Sequence, residues 1–166
     1  SLGVRGPKSL EAAGRCADGT ILAENSAPAY VSWAREHIAR GTSAAGRNDH
    51  HRLTVYANAV VSATDPARAA SRARAASAAM LGGEANAQTF MLPYADDLAR
   101  VAREGPKAYR DEWLDDLAIA GSPEQGVAAI QRLAAAGADA IVVVPPVGTD
   151  YDAWLEDVAN LVSPRR

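Results

Sequence analysis

The chain has 166 residues and a formal net charge of −3, and its arginines are scattered along the chain rather than gathered into one stripe, which excludes a nucleic-acid footprint and predicts a soluble, acidic single domain. One cysteine, Cys16, permits no internal disulfide, and with only His37, His50 and His51 beside it there is no CxxC or HExxH spacing, so no metal site is expected. The longest largely apolar stretch, residues 138–147, is too short to span a bilayer and no signal-peptide pattern precedes it, so no membrane partner and a cytoplasmic address are expected.

Residues 2–4 read as the tail of a strand, and Pro7 followed by Leu10, Ala13 and Ala17 predicts a short helix. Asp18-Gly19 turns the chain into a compact apolar strand, residues 20–23. Ser26 with Pro28 then opens a helix bearing Val31, Ala34 and Ile38 on one face, with Gly41 as its stop. Over residues 53–62, Leu53, Val55, Ala57, Ala59 and Val61 alternate with Thr54, Tyr56, Asn58 and Val60; both faces are largely apolar, as in a central strand. Asp65-Pro66 starts an alanine-rich helix reaching Leu81 and ended by Gly82-Gly83.

Between residues 84 and 120 the pattern weakens to helical pieces, 94–103 and 111–119, separated by Gly105-Pro106, and this stretch reads as a helical insertion. Regularity returns at Ser122-Pro123-Glu124-Gln125, a capping box with proline at the first helical position, ahead of the stripe Val127, Ile130, Leu133 and Ala134. Gly137 ends that helix. Residues 138–144 read as a largely apolar strand stopped by Pro145-Pro146, and Thr149 or Asp150 caps a last helix with Tyr151, Trp154, Leu155, Val158 and Leu161 inward. Strands alternating with helices predict an α/β fold of about four parallel βα units.

The strand end Gly3-Val4-Arg5-Gly6 lets the backbone approach a ligand closely, and a helix starting near Pro7 points free N–H groups at whatever sits there. An anion suits that place: Lys8 adds charge and Arg5 a bidentate grip on phosphate. A tight strand-to-helix turn with a solvated lysine is the other reading of the same residues. His50 and His51 lie at a strand entrance facing opposite ways, so they cannot form a metal pair. His37 reads as a helix-surface or partner-interface residue and Cys16 as a small core filler; Trp33, Trp113 and Trp154 read as packing residues. Glu24-Asn25, just past a strand, is open to helix capping or to a substrate or cofactor contact, and Asn58 is a buried amide in need of partners.

Read together, "GVRGPKSLEAAGRCADGTIL" (residues 3–22) resembles the cofactor-loop segment of the luciferase-like monooxygenase superfamily, particularly its deazaflavin-dependent branch of methylenetetrahydromethanopterin reductase-like oxidoreductases. "SAPAYVSWAREHIARG" (26–41), "AGRNDHHRLTVYANAVV" (45–61) and "LAIAGSPEQGVAAIQRLAAAGADAIVVVPP" (117–146) are similar to that family's next helix, its AGR turn with the following barrel strand, and its closing helix and last strand. The resemblance implies a TIM (β/α)₈ barrel of which this chain carries the C-terminal half, since a whole barrel usually needs about 250 residues. It also implies an oxidoreductase or monooxygenase that binds coenzyme F-420, or alternatively FMN, and a small-molecule substrate, with the cofactor phosphate held by Gly3, Val4, Arg5, Gly6 and Lys8. Arg5 departs from the small residue usual there. The family's acid/base groups belong to the absent half, so no catalytic residue is assigned, and the absence of an initiator methionine suggests that upstream residues exist. The alternative is a non-catalytic half-barrel that functions or folds only by pairing with an N-terminal half or a second copy, and a homo-oligomer is the expected state. A complete flavodoxin-like domain is disfavoured by the insertion and by the absent first strands.

Overall fold

The alternation over residues 53–62 becomes the longest strand, β3 (Arg52–Val61), in a computed structural model that describes residues 1–81 and 88–161. The strands before it are β1 (Leu2–Gly3) and β2 (Gly19–Leu22). After it come β4 (Ile119–Gly121) and β5 (Ala140–Val144). Every pairing is parallel: Gly3 lies opposite Ile21, Thr20 opposite Leu53, Ala59 opposite Ile119, and Tyr56 opposite Val142. Parallel neighbours need crossovers, and helices supply them. These are α1 (Pro7–Cys16), α2 (Pro28–Ala44), α3 (Pro66–Met80), α4 (Ala95–Glu104), α5 (Leu114–Leu117), α6 (Pro123–Ala135) and α7 (Tyr151–Ala159). The expected α/β fold with a parallel sheet is what forms.

Because side chains alternate along a strand, the odd-numbered residues of β3 share one face, and Leu53, Val55, Ala57, Ala59 and Val61 are buried there with Leu22 and Ile119. Leu10, Tyr30, Val31, Ile38, Leu133, Trp154 and Val158 of the flanking helices cover that face. Each fully buried Leu or Val contributes about 1.5–3 kcal/mol. A second cluster joins Val60, Ala118 and the alanines of α3 to Leu98, Val101, Tyr109 and Trp113. Within it Tyr94 stacks on Trp113 at 5.2 Å, and its hydroxyl donates to Asp116 at 2.5 Å. Among the described residues, β1 pairs only with β2, and β4 and β5 each only with β3, so each of these three strands leaves an edge unpaired.

Local signals set most helix ends. Asp65 accepts from the Arg68 N–H, Asp150 rather than Thr149 accepts from the Ala153 N–H, and Ser122 and Gln125 form the reciprocal capping box. Gly137 takes φ +110 just beyond α6, the left-handed position that favours glycine.

Four local expectations are corrected. Gly41 does not stop α2, which runs on to Ala44; a Cβ at Gly41 would run into the Glu11 carbonyl, and one at Gly14 into the Ile38 carbonyl. The two glycines are therefore where α1 and α2 cross. Cys16 is exposed at the end of α1, not a core filler. Tyr151 and Leu155 stay 58% and 42% exposed while Trp154, Val158 and Leu161 turn inward. The helix expected over residues 111–119 is shorter, a 3₁₀ turn (Asp111–Trp113) followed by α5, and Ile119 opens β4. Gly82 and Gly83, read as the stop of α3, lie outside the described residues.

Candidate functional site at the C-terminal ends of the strands

The loop from β1 into α1 brings Gly3, Val4, Arg5, Gly6 and Lys8 together at the C-terminal end of the sheet, with Gly3, Arg5 and Lys8 exposed. Gly6 is the N-cap in extended conformation, φ −89. Ser9 Oγ accepts from the Gly6 N–H at 3.2 Å and donates to the Gly6 carbonyl at 2.9 Å, which fixes the cap. Pro7 has no N–H, so the Lys8 and Ser9 amides remain as the open donors of the first turn. The Tyr30 hydroxyl donates to the Arg5 carbonyl at 2.8 Å and locks the loop from α2. Burial pushes that phenol up to about 12, against the weaker pull of Arg5, so it remains a donor at neutral pH.

Neither glycine of the loop is demanded by the chain's own packing. Among the described residues a Cβ at Gly3 would meet nothing within 4 Å, and one at Gly6 only Ser9 Oγ at 3.6 Å. The room beside them is open to a ligand, and with two free amides, Arg5 and Lys8 at hand it has the chemistry of an anion site. The residues therefore fit a phosphate-bearing cofactor.

One cleft adjoins the loop, and a second, which the loop does not line, shares Glu24 with it. The first, of about 230 Å³, is lined by Gly3, Arg5, Ile21 and Tyr56, and the second, larger one of about 630 Å³ lies over Asn58, Arg72, Met80 and the turn after β5, Pro145-Pro146. The larger has the size of a small-molecule site. Glu24 lines both. Asn25 beside it is 2% exposed with φ +61, its Nδ2 bonded to the Ser77 carbonyl at 3.2 Å and its Oδ1 without a partner among the described residues. Asn58 is buried as expected, its Nδ2 against Met80 Sδ at 3.1 Å.

The histidines are placed elsewhere. His51 is buried with Nε2 2.9 Å from Thr20 Oγ1, while His50 is exposed and 3.0 Å from Asp139, so the pair is split as expected. His37 is buried and not a surface residue, 2.9 Å from Glu11 and edge-on to Trp33. Among the described residues no group of three His, Cys, Asp or Glu could hold a metal, and no helix is long and apolar enough to cross a membrane. Sequence reasoning missed Tyr30, Arg72 and Gln88. Tyr30 was hidden in an amphipathic helix, and Gln88, whose Nε2 bonds the Ala23 and Glu24 carbonyls, lies in a stretch without periodicity.

A family model described as luciferase-like monooxygenase matches residues 1–140. The chain belongs to the luciferase-like monooxygenase family. A 5,10-methylenetetrahydromethanopterin reductase of Archaeoglobus fulgidus is 26% identical over 178 residues, covering 99% of this chain and 53% of that one. Among solved structures, the coenzyme F-420-dependent tetrahydromethanopterin reductase of Methanopyrus kandleri superposes with TM-score 0.74 at 24% identity, covering 98% of this chain and 49% of that one. A riboflavin lyase solved with modified FMN and riboflavin gives TM-score 0.61 at 16% identity over 96% of this chain and 41% of its own. This luciferase-like chain thus spans about half the length of the relatives it matches, and its fold is that of part of their barrel.

Proposed function

We propose that this chain is the C-terminal part of a deazaflavin- or flavin-dependent oxidoreductase and that Gly3, Val4, Arg5, Gly6 and Lys8 hold the cofactor phosphate. The observation that carries this is the opening beside Gly3 and Gly6, at a helix N-terminus whose Lys8 and Ser9 amides are unused, at the strand ends where barrel sites are built. Family membership and the reductase relatives support coenzyme F-420, with FMN as the alternative. The bound cofactor would supply the hydride chemistry. This chain's residues bind and orient it: the loop fixes the anionic end, Tyr30 keeps the loop in place, and the larger cleft offers an apolar wall of Ala75, Ala76, Ala79 and Pro145 to the rest.

The test is binding of F-420 and of FMN, followed by fluorescence, to the protein that carries this chain, alongside Lys8→Ala and Gly6→Val. Loss of about one counter-charge contact at Lys8 should weaken binding about tenfold or more. No binding of either cofactor, or binding unchanged by both substitutions, overturns the reading.

The unpaired edges of β1 and β5 favour a second reading, compatible with the first: the half-barrel acts only in association, with an N-terminal half or a second copy supplying the strands beside them. Leu2 and Val142, on those two strands, are 41% and 36% exposed. Sedimentation at high concentration showing this chain alone to be a folded monomer would count against it.

A further inference from the structure

Among the described residues Glu24 alone lines both clefts, which places it where they meet. Gln88 and Ser26 brace the backbone around it. Gln88 Nε2 donates to the Ala23 carbonyl at 2.9 Å, the Glu24 carbonyl at 3.1 Å and Ser26 Oγ at 2.9 Å. Ser26 Oγ in turn donates to the Ala23 carbonyl at 2.6 Å. Next in sequence, Asn25 is kept in left-handed conformation by its bond to the Ser77 carbonyl on α3. A non-glycine residue at positive φ is strained, and such strain persists where surrounding contacts over-determine it, often beside a binding site. Here it aims the preceding residue at the junction of the clefts.

The polarity along the two clefts changes in a definite order. Gly3 and Arg5 form a donor-rich, cationic end, Glu24 follows as an acceptor, and beyond it Ala75, Ala76, Ala79 and Pro145 form an apolar wall with Asn58 and Arg72 at its side. An ionised carboxylate can only accept hydrogen bonds and repels a phosphate, so it suits neither the anionic end of a ligand nor an apolar ring. It suits hydroxyl groups lying between the two. FMN and coenzyme F-420 both have that layout, a phosphate joined through a polyol chain to a flat heterocycle. We propose that Glu24 accepts hydrogen bonds from hydroxyls of the cofactor's polyol chain, with Gln88 and Asn25 as the residues that position it. The proposal rests on the reading of Gly3 to Lys8 as the phosphate loop.

The experiment measures dissociation constants by fluorescence quenching, on the protein that carries this chain. The probes are FMN, F-420 and an FMN analogue whose chain is a simple alkyl phosphate without hydroxyls. Glu24→Ala should weaken FMN and F-420 about tenfold, the size of a hydrogen bond to a charged group, while changing the alkyl analogue less than about twofold. Glu24→Gln, which keeps shape and one acceptor oxygen, should fall between. Gln88→Leu should give a smaller loss of the same pattern, because it releases the loop and leaves the carboxylate present. Equal weakening of the alkyl analogue would make Glu24 merely structural and overturn the proposal, as would FMN and F-420 affinities unmoved by Glu24→Ala. If Lys8→Ala weakens both cofactors and Glu24→Ala does not, the phosphate loop stands and only the polyol contact fails. If neither cofactor binds the unaltered protein, both readings fail.

Discussion

The two ends of the parallel strands use their polar groups in opposite ways. At the N-terminal end the charged groups close on the protein itself, although the buried His51 Nδ1 has no partner among the described residues. Arg35 donates to the His51 carbonyl at 2.7 Å, to Asp139 at 2.6 Å and to the Gly137 carbonyl, and Asp139 also accepts from the Leu53 N–H at 2.7 Å. Arg47 likewise ties the Ala17 carbonyl and Asp18 to Asp49. At the C-terminal end, the Lys8 and Ser9 amides, Asn25 Oδ1 and the space beside Gly3 have no protein counterpart among the described residues. Barrels in general keep structural duties at one end and ligand duties at the other, and the proposed phosphate loop follows that division. Substitutions at the two ends should therefore fail in different assays.

The largest effect belongs to the outer helical layer. Gly41→Ala forces a methyl against the Glu11 backbone carbonyl, which cannot move aside without separating α1 from α2; a loss of about 3 kcal/mol is expected from urea unfolding. Asp139→Ala comes next. It strands the Arg35 guanidinium and the Leu53 N–H, and because both members of the ion pair are about a quarter exposed the loss is about 2 kcal/mol. Cofactor affinity, measured on the folded fraction, should change little in either variant. Gly3→Val reverses the pattern: with open space beside Gly3, stability should stay within about 0.5 kcal/mol while F-420 or FMN affinity falls about tenfold. A Gly3→Val protein that unfolds early, or binds as before, would erase the distinction between the ends.

Much of the division was legible in the sequence, for local reasons. Residues 53–62 alternate apolar side chains at the strand period, Asp65 and Ser122 precede proline-opened helices, and Gly3-Val4-Arg5-Gly6-Pro7 stands where a strand meets a helix, so each could be read within a few residues of itself. What escaped reading depends on distant partners. Gly41 has the same local signature whether it ends a helix or lets one cross another, and only Glu11 on α1 distinguishes the two. His37 looks like a surface residue until Glu11 and Trp33 enclose it. Gln88 reaches the Ala23 carbonyl across 65 residues of sequence, and a three-residue strand such as β4 is too short to show a period at all. The proposed phosphate loop stands out in the sequence because its glycines and proline act locally through the backbone, whereas Glu24 gains its place from contacts no short window contains.

The smallest predicted effect tests the N-terminal end by pH. His51 is 5% exposed, and desolvation lowers the pKa of its ring, with the Arg35 and Arg47 charges adding to the depression against a weaker opposing pull from Ala17 and Asp49. Below about pH 6.5 the unfolded imidazole takes up a proton that the folded one resists, so the unfolded state binds more protons and stability declines as pH falls. Asp139 behaves differently. Desolvation raises its carboxyl, but the Leu53 N–H, Arg35 and His50 together hold it below the usual carboxylate value, so its contribution persists until the pH falls through the carboxylate range. Unfolding measured at pH 7.5 and 5.5 should therefore show a loss of roughly 1 kcal/mol or less that belongs to His51 and leaves Asp139 untouched. His51→Asn should flatten that slope while lowering stability at both pH values, since the Thr20 contact goes with the ring. An unchanged slope in the variant would mean that His51 takes up its proton in the folded state, and that this end of the strands is wetter than its closed network implies.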